Sequence, residues 1–97
     1  MAERYGPIIW GKTKQRQDMI IYPSRAHPGY MYHFVRASGR GDRIYYNCRQ
    51  CRKEKERNPA IGAVPSITVL EGRHFLTNPD HPKHPHFCTP ICISQHV

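Results

Sequence analysis

The residues with the most chemistry to offer are four cysteines and seven histidines in a chain of 97 residues. Cys48-Arg49-Gln50-Cys51 is a Cys-x2-Cys knuckle, the spacing at which two thiolates grip one tetrahedral metal. The same spacing serves redox dithiols. That use is less attractive here, because the pair follows a strand without the strong helix expected behind a thioredoxin-like motif. The second half of the chain supplies His84-Pro85-His86-Phe87-Cys88, then Cys92 and His96. Cys48, Cys51, His84 and His86 would make a Cys2His2 site closing in His-x-His. Cys48, Cys51, His86 and Cys88 would make a Cys3His site closing in His-x-Cys. Residues i and i+2 of an extended segment face opposite ways, so either set needs a bend at the metal. Pro85 helps one bend without choosing between the sets.

The other candidates read more plainly. Cys92, between Ile91 and Ile93, suits burial as a small hydrophobe better than a fifth ligand role. His81 and His96 read as surface residues, and His33 and His74 as packing or surface residues. The donors suffice for one closed, structural Zn2+. A catalytic zinc needs an open position and a group that activates water. No His-Glu helix motif is present, and Glu71 and Asp80 read as turn or surface residues, so an enzyme is not expected.

Metal is favoured over disulfides by the start of the chain, Met1-Ala2-Glu3-Arg4-Tyr5, which lacks a secretory apolar stretch and reads as an intracellular start. In a reducing compartment, clustered cysteines more often bind metal. A staple is also needed. Nine prolines and seven glycines interrupt the chain, and a small domain buries a lower fraction of its surface. No segment has the length of a transmembrane span.

The elements that must position these ligands are mostly strands. Met19–Tyr22 is a short strand candidate stopped by Pro23, and His27-Pro28-Gly29 is a turn. Tyr30–Val35 is aromatic and β-branched, with Tyr30, Tyr32 and Phe34 on one face and Met31, His33 and Val35 on the other. Both faces are apolar, which predicts a central strand. Ser38–Asp42 suits a hairpin connection. In Ile44–Cys48, Ile44, Tyr46 and Cys48 share the core side, and Arg43 and Tyr45 face away. Arg52–Arg57 suits one or two helical turns, closed by Asn58-Pro59. Ile67–Leu70 is a fourth strand. Prolines at 79, 82 and 85 then fix a rigid, extended segment. The expected organisation is an N-terminal tail over 1–16, a zinc-binding domain over 17–92 and a C-terminal tail over 93–97. Trp10, within the tail, reads as a core or edge contact.

Charge is concentrated. Arg36, Arg40, Arg43, Arg49, Arg52, Lys53, Lys55 and Arg57 face only Asp42, Glu54 and Glu56 over the same stretch, within a chain of formal charge +8. Such a patch attracts polyanions, DNA or RNA above all.

With Ile20-Ile21, Gly29-Tyr30-Met31-Tyr32-His33-Phe34, Tyr45-Tyr46-Asn47-Cys48, Cys51, a late strand near Val69 and His84-Pro85-His86-Phe87-Cys88, residues 17–92 resemble the FLYWCH-type zinc-finger family. That family belongs to the fold group of the WRKY and glial-cells-missing DNA-binding domains. The run from Asn78 to Cys88 is similar to the histidine end of divergent nematode members. Two departures stand out: Tyr46 replaces the family's tryptophan, and the Cys48–Cys51 spacing is tighter than usual. The resemblance implies a small zinc-stabilised, mostly β domain with a four- to five-stranded antiparallel sheet. It carries His-x-His closure onto His84 and His86, whereas related fold members closing in His-x-Cys would select His86 and Cys88.

The expectation is a nuclear, zinc-dependent domain that binds double-stranded DNA, in a regulator of transcription, with no membrane and no small-molecule substrate. Arg40, Arg43, Tyr45, Arg49, Arg52 and Lys53 are the candidate contacts. The alternative is a zinc-stabilised protein-interaction module using the aromatics of Tyr30–Phe34 or a sheet edge.

Overall fold

Strand-forming residues dominate wherever proline and glycine leave room. The computed structural model describes residues 5, 8–82 and 84–92. In it the chain runs β1 (Ile9–Lys12), β2 (Asp18–Pro23), β3 (Tyr30–Arg40), β4 (Arg43–Cys48), α1 (Arg49–Arg57), β5 (Ser66–Leu70), β6 (His74–Phe75) and β7 (Ile91–Cys92). The strands form one antiparallel sheet in the order β1-β2-β3-β4-β5-β6, with β7 added on β3.

The four strands expected from sequence are all present, and β3 is central: it pairs with β2, β4 and β7. The sheet is larger than the four to five strands expected, for two reasons. Part of the segment read as a tail is strand β1, whose Trp10 pairs with Ile20. Gly11 permits this close approach, since a Cβ there would lie 2.7 Å from Ile21 Cδ1. The other additions, β6 and β7, are two-residue pairings too short to leave a periodic signal. The predicted tail over 93–97 lies outside the described residues, as do parts of the N-terminal one.

The β3–β4 connection is tighter than the sequence suggested. Arg40 pairs with Arg43, leaving only Gly41-Asp42 in the turn. Gly41 has φ +62°, the left-handed backbone that two-residue hairpin turns demand at their first position. A register shift between Arg36 and Ser38 marks a bulge at Ala37.

The core lies on one face of the curled sheet. Ile20 and Tyr22 from β2, Tyr32 and Phe34 from β3, Tyr46 and Cys48 from β4, and Ile67 and Val69 from β5 pack together with Cys51 and Phe75. Tyr22 and Phe75, from strands far apart in the sheet order, meet edge-to-face at 5.7 Å. The sheet therefore curls until its two flanks touch across the core. Met31, His33 and Val35 are also buried, on the other face of β3, as its two-sided apolar pattern predicts.

Candidate metal centre

The site is built where one edge of β3 changes partner. Opposite β2, that edge pairs with β4 from Phe34 onward and with β7 at Tyr30 and Met31. Between them, at Tyr32 and His33, neither strand supplies a ladder. A buried backbone donor in such a gap must be satisfied. The His33 N–H donates to Gln50 Oε1 at 3.2 Å, and that oxygen lies 3.8 Å from Cys48 Sγ. The gap is where the ligands gather.

Cys48 ends β4 and caps α1, and Cys51 sits in the helix's first turn. Cys48 makes no side-chain cap hydrogen bond, and the first turn holds no acidic residue. The partial positive charge of the helix N-terminus is thus left for the sulfurs, where it favours thiolates. From the other side come His86 and Cys88, in the irregular segment leading to β7. Cys48, Cys51, His86 and Cys88 each point one donor atom at a common centre, all four within 4.8 Å of one another.

The donor–donor distances suit a metal tetrahedron. Cys48 Sγ lies 3.6 Å from Cys88 Sγ, Cys51 Sγ lies 3.7 Å from His86 Nδ1, and Cys88 Sγ lies 4.0 Å from the same nitrogen. Zinc at about 2.3 Å from sulfur and about 2.0–2.1 Å from nitrogen gives tetrahedral edges of roughly 3.5–3.8 Å. These four residues are close enough to coordinate one metal ion, consistent with a single structural zinc. The set is Cys3His, soft and closed, which selects Zn over hard cations.

His86 is oriented from three sides. Its Nε2–H donates to the Pro79 carbonyl at 2.8 Å, which leaves the Nδ1 lone pair facing the sulfurs. Tyr32 stacks on the ring at 4.0 Å and 12°, and Phe34 meets it edge-on at 5.9 Å. Pro79 is itself held by its neighbour. Asp80 accepts from the Ser24 hydroxyl and from the backbone N–H groups of Arg25 and Ala26, at 3.0 and 3.3 Å for the latter two. Asp80, read from sequence as a turn or surface residue, ties the proline segment to the β2–β3 turn. Tyr32 was legible only as a strand aromatic. Its use as the platform beneath a ligand depends on the fold.

Three sulfurs this close cannot all ionise without a cation. Hydrogen bonding with Cys48 and Cys88 draws the Cys51 thiol far below its ordinary value. The same kind of contact, with Cys48 and Cys51, drives Cys88 far above its own. Burial disfavours charge on His86, but hydrogen bonds to Cys48 and Cys51 and to the Pro79 carbonyl outweigh it and raise the imidazole to about 10. A bound divalent cation would replace these protons.

Of the two closing sets read from sequence, His86 with Cys88 is the one brought together. His84 is exposed and outside the cluster, so the His-x-His closure implied by the family resemblance is not what this chain builds. Cys92 is half-buried on β7, also outside the cluster. A helix does follow Cys48 directly, contrary to the expectation used against a redox dithiol. Accessibility answers that point instead: Cys48 and Cys51 are both 0% exposed, whereas a reactive thiol must be reached.

The candidate contact residues divide. Arg40 and Arg43 are exposed and paired at the β3–β4 tip, and Arg52 and Lys53 are exposed on α1. Arg49 and Tyr45 are half-buried. β4, whose five steps from Arg43 to Cys48 span roughly 17 Å, runs between the hairpin tip and the start of α1. Among the described residues, no helix is long and apolar enough to cross a membrane. Comparison of the chain with protein-family models, curated proteins and solved structures returned no match.

Proposed function

We propose that this is a zinc-stabilised DNA-binding domain of the FLYWCH type, acting in the nucleus as part of a transcription regulator. The observation that carries the proposal is the Cys3His cluster at the end of β4, next to the most basic stretch of the chain. A metal there clamps β4 to α1 and gives both cationic groups fixed positions. Arg40 and Arg43 at the hairpin tip, and Arg52 and Lys53 on α1, are exposed and suited to phosphates. β4 runs between the hairpin tip and α1, and its outward side chains Tyr45 and Asn47 are suited to base edges of a major groove. A fully ligated, buried metal favours a structural over a catalytic role.

The protein-interaction reading loses its main support. Tyr32 and Phe34 are buried in the core, and of that aromatic strand only Tyr30 stays exposed.

Fluorescence anisotropy of a labelled duplex, titrated with zinc-loaded protein at low salt, tests the proposal. Binding should weaken steeply with salt, and Arg43→Gln and Arg52→Gln should each reduce the salt slope by about 1. Absence of duplex binding at low salt, or binding indifferent to both changes, would sink it.

A further inference from the structure

A second cationic feature lies away from the metal centre and from the residues singled out for duplex contact. The β2–β3 ladder ends at the Met19–Val35 pair, so β3 beyond Val35 has no ladder partner on that edge. The bulge at Ala37 falls in this bare stretch, and the β1–β2 turn stands beside it. Between them runs an open groove of about 660 Å³, lined chiefly by Lys12, Arg16, Asp18, Arg36, Ile44 and Tyr46. Its volume is that of a small-ligand site.

The charges do not cancel within it. Lys12 and Asp18 form an ion pair with each other. Arg16 and Arg36 have no carboxylate partner among the described residues, leaving two guanidinium groups on the groove. Arg16 also holds a left-handed backbone, φ 63°, within a turn closed by Thr13 and Gln17 hydrogen bonds. Tyr46, buried in the core, forms part of the groove wall.

An aromatic platform flanks these donors. Trp10 on β1 packs edge-on against Tyr46 at 6.0 Å yet remains 45% exposed. Cations beside an exposed indole are the two components of single-strand recognition: phosphates take the arginines, and an unstacked base takes the ring. Duplex DNA offers no free base face to such a ring, which decides between the two forms.

We propose that this groove binds one nucleotide of a single-stranded nucleic acid, its phosphate on Arg16 and Arg36 and its base stacked on Trp10. The site stands independently of the duplex reading, since it shares no residue with it.

Trp10 is the chain's single tryptophan, so its fluorescence reports the site directly. The zinc-loaded full chain is titrated at low salt with oligothymidylate and, in parallel, oligouridylate of about ten nucleotides. Saturable quenching is expected with at least one of them, the ratio of affinities distinguishing a DNA from an RNA ligand. Arg16→Gly, which accepts the left-handed turn, and Arg36→Gln should each weaken quenching roughly tenfold, while far-UV dichroism and zinc content stay unchanged. Arg43→Gln should leave quenching intact even where it impairs duplex binding. No quenching by either oligonucleotide, or quenching untouched by both groove variants, overturns the proposal. Equal quenching by a blunt duplex overturns the single-strand assignment, and equal quenching by inorganic polyphosphate overturns the stacking.

Discussion

The Pro79 carbonyl accepts the Nε2–H of His86 at 2.8 Å, and this bond decides which imidazole nitrogen faces the cysteines. It also links the site to Asp80, whose carboxylate binds Ser24 and the Arg25 and Ala26 backbone more than fifty positions earlier in the chain. Asp80 is therefore a positioning residue outside the ligand cluster. Removing it should let the proline segment drift and blur the orientation of His86.

Asp80→Ala is expected to lower zinc affinity by about 10–100-fold, the usual cost of losing an outer partner of a metal ligand. Competition against a chromophoric chelator measures this. Unchanged affinity in a folded variant would show that Pro79 needs no such anchor.

Gln50 carries a different burden. Its Oε1 receives the His33 N–H in the gap between β4 and β7. Gln50→Ala should cost about 1–3 kcal/mol by leaving that donor unsatisfied, with the four ligands intact. Urea denaturation of the zinc-loaded variant checks it, and a midpoint equal to that of the parent would contradict the role.

Much of this was legible in the sequence, and the limits have physical causes. The strands carrying Ile20, Tyr32, Tyr46 and Val69 announce themselves by alternation and β-branched or aromatic content. The Cys48–Cys51 spacing, taken with the histidines and cysteines downstream, points to a metal. What spacing could not decide was His84 against Cys88, because both are two residues from His86. That choice is made by long-range contacts: the Asp80 anchor, the Tyr32 stack and the pairing of β7 with Tyr30 and Met31. Strand β1 was missed because Ile9-Trp10-Gly11-Lys12 has no alternation, and its place depends on Gly11 meeting Ile21.

Loss of the metal should be felt first in α1. A nine-residue helix is marginal alone, and among its residues only Cys51 is buried. The ion pair of Arg57 with Glu54, at 3.5 Å, is exposed and worth little. Chelation should abolish the helical dichroism and much of the sheet signal, and zinc should restore both. Cys48→Ser, Cys51→Ser, His86→Ala and Cys88→Ser should each mimic chelation, whereas His84→Ala should leave zinc content and fold intact. X-ray absorption should find three sulfur ligands to one nitrogen. Retained structure after verified metal removal, or a two-to-two ratio, would refute the Cys3His clamp.

Alkaline pH should destabilise the domain through its buried phenols. Burial raises Tyr22, with the Asp80 charge adding to it, and raises Tyr32 to about 12, with the nearby cysteines contributing. Tyr46 is raised by burial as well. A folded-state pKa above the unfolded value of about 10 means that the native state holds its proton more tightly. The stability this supplies is complete below about pH 10 and is lost as pH climbs toward 12, because the unfolded chain ionises first. Phenolate absorbance and far-UV dichroism, followed together across that range, should show these tyrosines ionising in one step with loss of structure. Ionisation of all tyrosines near pH 10, before any change in dichroism, would mean that the phenols are not shielded by the core.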